Sequence, residues 1–318
     1  ATCATIGKMT LPELARRGYP DGIVVGTLAG AGTLGLLIPP SIIMIVYGVS
    51  ADVSIAQLFV AGVVPGVLLA LLFMGYVGGW ALLNRAAVPP ADDTMSLRQK
   101  LWASRSLIPV VLLIGAVLGA IYAGVATATE AAAIGVVGAL LLSAVQGSLD
   151  RRTFLESLVG ATRLYCMIAL ILAGAAFLTL AMGYIGLPRH LAEWIASLGL
   201  SRFALIVALA LFYIVLGCFL DGISMVVLTM GVILPTVQAA GIDLLWFGVF
   251  VVIVVEMAQI TPPVGFNLFV LQGMTGRELP WISRQAVPMF VLMVAAVLLI
   301  YLFPELVTWL PRQMRAAS

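Results

Sequence analysis

The sequence predicts an all-α membrane protein built from two copies of one unit, each pairing a re-entrant hairpin with an interrupted transmembrane helix. Three observations carry this. Of 318 residues, 63% are hydrophobic and 9% are charged, against roughly 45–50% and about 25% in a soluble domain. A mean hydropathy of +1.17 means that the apolar residues are spread along the whole chain and not gathered into one anchor. An ungapped offset of 223 residues lays Pro12 on Pro235, Gly18 on Gly241, Pro39-Pro40 on Pro262-Pro263 and Pro65 on Pro288. With only 16 prolines in the chain, these coincidences mark an internal repeat.

The same figures exclude other classes. A net charge of +2 offers no basic face for nucleic acid. The one histidine, His190, closes off most zinc chemistry. Cys3, Cys166 and Cys218 lie in apolar stretches and read as small packing residues, not as a disulfide framework.

The chain opens on Ala1 to Gly7, which has neither the basic nor the apolar region of a signal peptide. Residues 1–17 read as the second leg of a hairpin whose first leg lies outside the sequence. If the second copy begins near Arg105, the first begins about 118 residues before Ala1, and the intact protein approaches roughly 430 residues.

A crossing of roughly 30 Å of hydrocarbon takes about 20 residues. Seven runs qualify: Ile23 to Val49, Phe59 to Leu83, Leu107 to Ala123, Glu130 to Val145, Leu164 to Gly183, Leu244 to Gly273 and Ala286 to Leu310. Two further apolar pieces, Arg202 to Phe219 and Ile223 to Ala240, meet at the polar string Gly217 to Ser224, with no charged aqueous loop between them. They read as the legs of a hairpin over 202–240 that breaks at membrane depth, where protein or a wet cavity must satisfy the freed backbone. The chain therefore divides into residues 1–84, the end of a first repeat; a cytoplasmic linker, 85–104, lying within the polar stretch that carries Pro89-Pro90 and Asp92-Asp93; and residues 105–318, a second repeat with scaffold helices, the hairpin, a broken helix over 244–273 and a last helix over 286–310.

Orientation follows from the cations. Inside segments hold Lys8, Arg16, Arg17, Arg85, Arg98, Lys100, Arg105, Arg151, Arg152, Arg163, Arg277 and Arg284; outside segments hold Arg189, Arg202, Arg312 and Arg315. Twelve against four supports this topology. It runs the helix at Ile23 and its equivalent at Leu244 in opposite directions. Inverted repeats with broken helices are the signature of a secondary transporter.

The chemistry concentrates at the breaks. Between Gly32 and Ser41, Pro39-Pro40 removes backbone donors and disfavours the helical conformation just before it, which frees upstream carbonyls. Met257 to Asn267 repeats the pattern and adds hydroxyl and amide groups. Carbonyl and hydroxyl oxygens of unwound helices suit a weakly hydrated monovalent cation such as Na⁺, and facing helix N-termini suit a carboxylate. A plain proline kink is the alternative, and duplication at the repeat offset weighs against it. Thr261 precedes Pro262, so its carbonyl is expected to leave the helical ladder while its hydroxyl turns to the same place. Asp221 and Ser224 at the hairpin tip, with Thr33, Ser41 and Asn267, are further candidates for ion or substrate contact; Asp221 equally suits an N-cap. Glu256 reads chiefly as an acceptor for freed backbone donors, Thr129-Glu130 as a helix cap, and Arg163 as a snorkelling side chain or an anion contact. Gly26, Gly30, Gly32 and Gly35 form a small-residue face, and the six tryptophans mark crossing ends.

The strings GTLGLLIPPSIIMIVYGV (Gly32 to Val49), YAGVATATEAAAIGVV (Tyr122 to Val137), LDGISMVVLTMGVILP (Leu220 to Pro235) and ITPPVGFNLFVLQG (Ile260 to Gly273) resemble the large membrane subunit of the tripartite ATP-independent periplasmic (TRAP) transporters. The resemblance covers essentially the whole chain. It implies an ion-transporter-superfamily-like fold of elevator type, and Na⁺-driven import of organic acids across a bacterial inner membrane. It also implies a small membrane subunit and a periplasmic substrate-binding protein as partners, with no cofactor beyond the coupling ion. Carried over by position, Gly35, Ile38 and Pro40 would line one Na⁺ site, and Gly217, Ala258, Thr261 and Val264 the other. The first-hairpin serines of that family would fall before Ala1, and Ala258 must serve through its carbonyl.

The main alternative is a stand-alone Na⁺/dicarboxylate carrier of the wider divalent-anion symporter class. An intramembrane enzyme using Asp221 and Glu256 is disfavoured, because no other motif supplies a further carboxylate, a metal set or a nucleophile with its base.

Overall fold

A computed structural model describes residues 2–89, 96, 99, 102 and 104–317. Among these residues the regular structure is all helical and includes no strand. In hydrocarbon no water bonds the peptide groups, so an apolar chain satisfies them within helices.

The chain forms two compact units, one of residues 1–89 with 172–317, the other of residues 90–171. The first opens with α1 (Thr2–Arg16), α2 (Asp21–Ala31), the single turn α3 (Leu34–Leu37), α4 (Ile42–Ala51) and α5 (Ile55–Leu83). The second unit pairs α6 (Ile108–Tyr122) with α7 (Ala128–Val145) and holds the start of α8 (Arg151–Tyr184). Its helices present large apolar side chains outward, among them Val111, Leu112, Val136 and Leu141. After α8 the first unit resumes with α9 (Leu187–Ser197), α10 (Arg202–Leu216), α11 (Gly222–Ala239), α12 (Leu244–Gln259), α13 (Phe266–Thr275), α14 (Leu279–Leu302) and α15 (Glu305–Ala317).

Element boundaries recur at the sequence offset. The end of α1 corresponds to the end of α11, the start of α2 to the start of α12, and α4 and α5 to α13 and α14. The turns that enter the two interrupted helices both need a positive φ, and glycine supplies it: Gly18 at φ 80° and Gly241 at φ 65°. The peptide bonds Pro39-Pro40 and Pro262-Pro263 are both cis.

Helix α12 is the hub of the first unit. It is apolar on every side, as a helix enclosed by others must be, and Val249 through Val255 are completely buried. It packs against α3, α4, α5, α10, α11, α14 and α15. Helix α2 lies along α14 at close range: a Cβ at Gly26 would strike the Gln285 carbonyl, and one at Gly30 would sit 2.7 Å from Met289 Cγ. Gly32 packs in the same way on Cys3 Cβ, at 2.6 Å, so the small-residue face is used for close contact. The three cysteines are free thiols.

Several expectations are corrected. The helix expected over Leu164 to Gly183 starts at Arg151, because the polar first turns continue the same helical run. The last helix ends at Leu302, and Pro304, which cannot continue it, starts a separate amphipathic α15 that packs along α5. By length and composition, α5, α7, α8, α11 and α14 are each long and apolar enough to cross a membrane, and α2 to α4, bent by 44°, would bring the number to six if counted as one span. Thr127, not Thr129, caps α7: its hydroxyl accepts from the Glu130 N–H while the Glu130 carboxylate accepts from the Thr127 N–H at 2.8 Å, a capping box. Trp246 is no interfacial anchor. It is buried, donates from Nε1 to the Ile300 carbonyl at 2.9 Å and stacks on Phe250.

Candidate ion and substrate site

The first break is built from backbone. Helix α2 stops at Ala31, and the fully buried Thr33 turns its hydroxyl back to the Gly30 carbonyl at 2.7 Å. After the single turn α3, Ile38 is extended (φ −76°, ψ 122°) and Pro39-Pro40 follows. Ser41 then caps α4, accepting the Met44 N–H at 3.3 Å. Gly62 and Gly66 of α5 let this segment lie close: a Cβ at Gly62 would sit 3.1 Å from the Leu37 carbonyl oxygen, and one at Gly66 3.0 Å from Ile38 Cγ1. A Cβ at Gly35 would overlap Thr2 Oγ1 at the start of α1. Ile38 is 44% exposed, and Pro40 is exposed as well.

The second break differs in its oxygens. The Thr261 hydroxyl donates to the Met257 carbonyl at 2.7 Å, which leaves its lone pairs pointing away from the helix. Contrary to expectation, the Thr261 carbonyl keeps a helical bond, accepting from the Gly265 N–H at 3.1 Å. The chain doubles back here: a Cβ at Gly265 would lie 2.8 Å from the Gln259 carbonyl oxygen and 2.9 Å from that of Thr261. Val264 sits in this turn, half-buried.

The tip of the α10–α11 hairpin is seated on this break. A Cβ at Gly217 would overlap the Ala258 methyl, and the Cys218 thiol donates to the Pro262 carbonyl at 3.4 Å. Gly222 packs between Val255 of α12 and Ile43 of α4, where a Cβ would lie 2.7 and 2.8 Å from their methyl groups. Gly217, Ala258 and the Pro262 carbonyl thus converge, with Thr261 adjacent in the chain, while Gly35, Ile38 and Pro40 group at the first break.

The remaining candidates have structural partners. The Asp221 carboxylate accepts the N–H groups of Ile223 and Ser224 at 3.0 and 3.2 Å and the Ser224 hydroxyl at 2.5 Å, capping α11. Asn267 donates from Nδ2 to the Ala29 carbonyl at 3.3 Å, tying α13 to α2. Glu256 was expected to accept freed donors, yet neither carboxyl oxygen has a hydrogen-bond partner among the described residues.

Sequence reasoning missed three ties that hold the site. The Tyr47 hydroxyl donates to the Leu244 carbonyl at 2.7 Å, joining α4 to the start of α12. Tyr213 and Thr229 hydrogen-bond across the hairpin legs at 2.8 Å. Cys218 touches the second break directly. Tyr213 lies one turn before Gly217, a spacing that placed it beside the tip, but nothing in the letters named its partner.

A chain of apolar helices with two Pro-Pro interruptions, one met by a hairpin tip, is a polytopic membrane protein. Residues 1–306 match the family model described as the DctM component of the tripartite ATP-independent periplasmic transporters. The chain belongs to this family. It is 32% identical to the C4-dicarboxylate TRAP transporter large permease protein DctM of Pseudomonas aeruginosa, over 98% of this chain and 72% of that protein. It is 30% identical to the isethionate TRAP transporter permease protein DctMQ of Oleidesulfovibrio alaskensis, over 96% of this chain and 48% of that one. It is also 26% identical to the sialic acid TRAP transporter permease protein SiaT of Haemophilus influenzae, over 98% of this chain and 50% of that one. The relatives are transporter permeases, not enzymes.

Proposed function

We propose that this chain is the membrane pathway of a Na⁺-coupled importer of organic acids, delivered by a periplasmic substrate-binding protein and assisted by a small membrane subunit in a bacterial inner membrane. The observation that carries the reading is the seating of the Gly217 tip on Ala258 and the Pro262 carbonyl, beside a break whose counterpart stands at the repeat offset. A monovalent cation such as Na⁺ suits such oxygens, because carbonyl and hydroxyl groups can replace its water without a costly buried charge. Gly35, Ile38 and Pro40 form one site in this reading, and Gly217, Ala258, Thr261 and Val264 the other. Recurrence of the element boundaries supports two copies of one unit; the cation distribution favours their inversion, and movement of the hairpin-bearing part as an elevator would carry substrate between the two sides.

The relatives' names span a dicarboxylate, a sulfonate and a sugar acid. Their common feature is a small organic anion, which a helix N-terminus at a break is suited to hold. The test is uptake of such anions into proteoliposomes containing all three components. Uptake should collapse when Na⁺ is replaced by K⁺ or choline and should ignore ATP, since the chain has no G-x-x-x-x-G-K-[ST] phosphate loop. Uptake that persists without Na⁺ and follows nucleotide would end this reading.

A further inference from the structure

A cavity of about 140 Å³ lies in the first unit where four helix ends come together: α10 starts at Arg202, α11 ends at Ala239, α12 starts at Leu244 and α14 ends at Leu302. The bond from Trp246 Nε1 to the Ile300 carbonyl ties two of these ends. Helix α14 is long and apolar enough to cross a membrane, so its end marks a boundary between hydrocarbon and water. From there the amphipathic α15 continues, and it adds Thr308 and Arg312 to the cavity wall. Amphipathic helices of this kind lie in the membrane interface.

Two guanidinium groups line this one cavity, Arg202 from the foot of the hairpin and Arg312 from α15. Arg202 is held in place: its Nη2 donates to the Gly241 carbonyl at 2.6 Å and to the Ala240 carbonyl at 3.5 Å, and the other donors of its fork have no partner among the described residues. Arg312 forms no hydrogen bond or ion pair among the described residues. Asp243, the one carboxylate on the wall, accepts the Trp246 N–H at 2.9 Å as the cap of α12 and pairs with neither arginine. Two like charges on one small cavity repel each other. An oxyanion between them removes that repulsion and matches the planar fork that arginine offers to phosphate. Tyr301 adds a hydroxyl with no hydrogen bond among the described residues, on a ring set 5.4 Å from that of Phe203.

Size and surroundings narrow the ligand. Pockets that enclose a whole small molecule run from roughly 300 Å³ upward, whereas this one has the space of roughly four or five waters at about 30 Å³ each, enough for a phosphate group. Around it Phe203, Leu302, Phe303 and Trp309 are exposed, a surface suited to acyl chains. We propose that the cavity is a lipid headgroup site, in which Arg202 and Arg312 hold the phosphate of an anionic phospholipid whose chains lie against these apolar side chains. The lipid would fasten α15 to the foot of the hairpin. This site is separate from the two breaks and does not depend on which ion drives transport.

The experiment takes the intact transporter, purified and stripped of lipid, and follows its melting temperature as a short-chain phosphatidylglycerol is added, since a ligand of the folded state raises it. Inorganic phosphate is the arm without chains. The parent should be stabilised saturably by the lipid, and by phosphate only at far higher concentration. Arg312→Gln removes a group with no partner in the fold, so it should melt near the parent without lipid, and its apparent Kd for the lipid should rise roughly tenfold or more, the scale of one hydrogen bond to a charged group. Arg312→Lys keeps the charge but not the fork and should fall between the two. Arg189→Gln is an equal loss of charge at an exposed arginine paired with Glu193 at 2.8 Å, and it should leave the Kd within about twofold of the parent. Should Arg312→Gln melt low on its own, Arg312→Lys carries the comparison alone. Equal Kd values for the parent and both Arg312 variants overturn the proposal. So does an equal loss in Arg189→Gln, which would make the effect one of overall charge, and so does phosphate binding as tightly as the lipid, which would make this a site for a soluble anion.

Discussion

The Cα of Gly217 rests against the methyl of Ala258 so closely that no side chain fits between the hairpin tip and the second break. Gly217→Ala should therefore wedge the tip away from Ala258 and the Pro262 carbonyl. Overpacking of this kind costs about 1–3 kcal/mol, and the loss should appear as a raised Na⁺ requirement for uptake. Ala258→Gly removes the opposing methyl and should restore much of the function in the double variant. A double variant as impaired as Gly217→Ala would show that the contact is not what the tip depends on.

At Asp221 the capping geometry separates two roles. Its carboxylate already accepts two backbone N–H groups and the Ser224 hydroxyl. Asparagine caps nearly as well as aspartate, whereas loss of a cap costs about 0.5–2 kcal/mol. Asp221→Asn should keep both the melting temperature and the Na⁺ requirement near those of the parent, and Asp221→Ala should lower the melting temperature. A raised Na⁺ requirement in the Asn variant, with its stability intact, would assign the charge to the ion.

Tyr47→Phe removes the hydroxyl that serves the Leu244 carbonyl and leaves the rest of the ring in place. Loss of one hydrogen bond costs about 0.5–1.5 kcal/mol, so this variant should melt at a lower temperature in K⁺ and in Na⁺ alike. A loss confined to Na⁺ would instead make this tie part of the ion site.

These variants also mark what the letters could and could not disclose. The breaks were legible because proline acts on its own neighbours: Pro39-Pro40 and Pro262-Pro263 end helices wherever they fall, and their spacing gave the repeat. Hairpin legs were legible from two apolar runs around a Gly-Asp tip. Helix ends set by mixed turns were less so, since Arg151 to Arg163 continues α8 with Phe154, Leu155, Leu158 and Val159 set among charged and polar residues, below the apolar density of a crossing. The cap moved from Thr129 to Thr127 because both residues can cap, and only the Glu130 carboxylate's reach decides between them. Contacts between distant segments, such as Tyr47 with Leu244 or Asn267 with Ala29, depend on how helices pack, and no periodicity carries that.

Thr261 offers the most local test of the second break. Its hydroxyl proton is committed to the Met257 carbonyl at 2.7 Å, so the oxygen's lone pairs are its free capacity. Its carbonyl accepts the Gly265 N–H and keeps a second lone pair, so the hydroxyl is the oxygen that a side-chain substitution can remove. Thr261→Val keeps the branching and nearly the volume, and it removes only that oxygen and one bond to Met257. A hydrogen bond to a charged group is worth about 1.5–3 kcal/mol, which corresponds to a roughly 10- to 150-fold higher Na⁺ concentration for half-maximal uptake. Ile38 stands at the same offset in the first copy and has no side-chain oxygen. Ile38→Val trims one exposed methylene, leaves its carbonyl in place and should hardly change the Na⁺ requirement. The measurement is uptake against Na⁺ concentration in proteoliposomes with all three components, read beside the melting temperature in K⁺. Equal half-maximal values for Thr261→Val and the parent would mean that the hydroxyl only staples the helix end, and that the second break binds its ion, if any, through backbone alone.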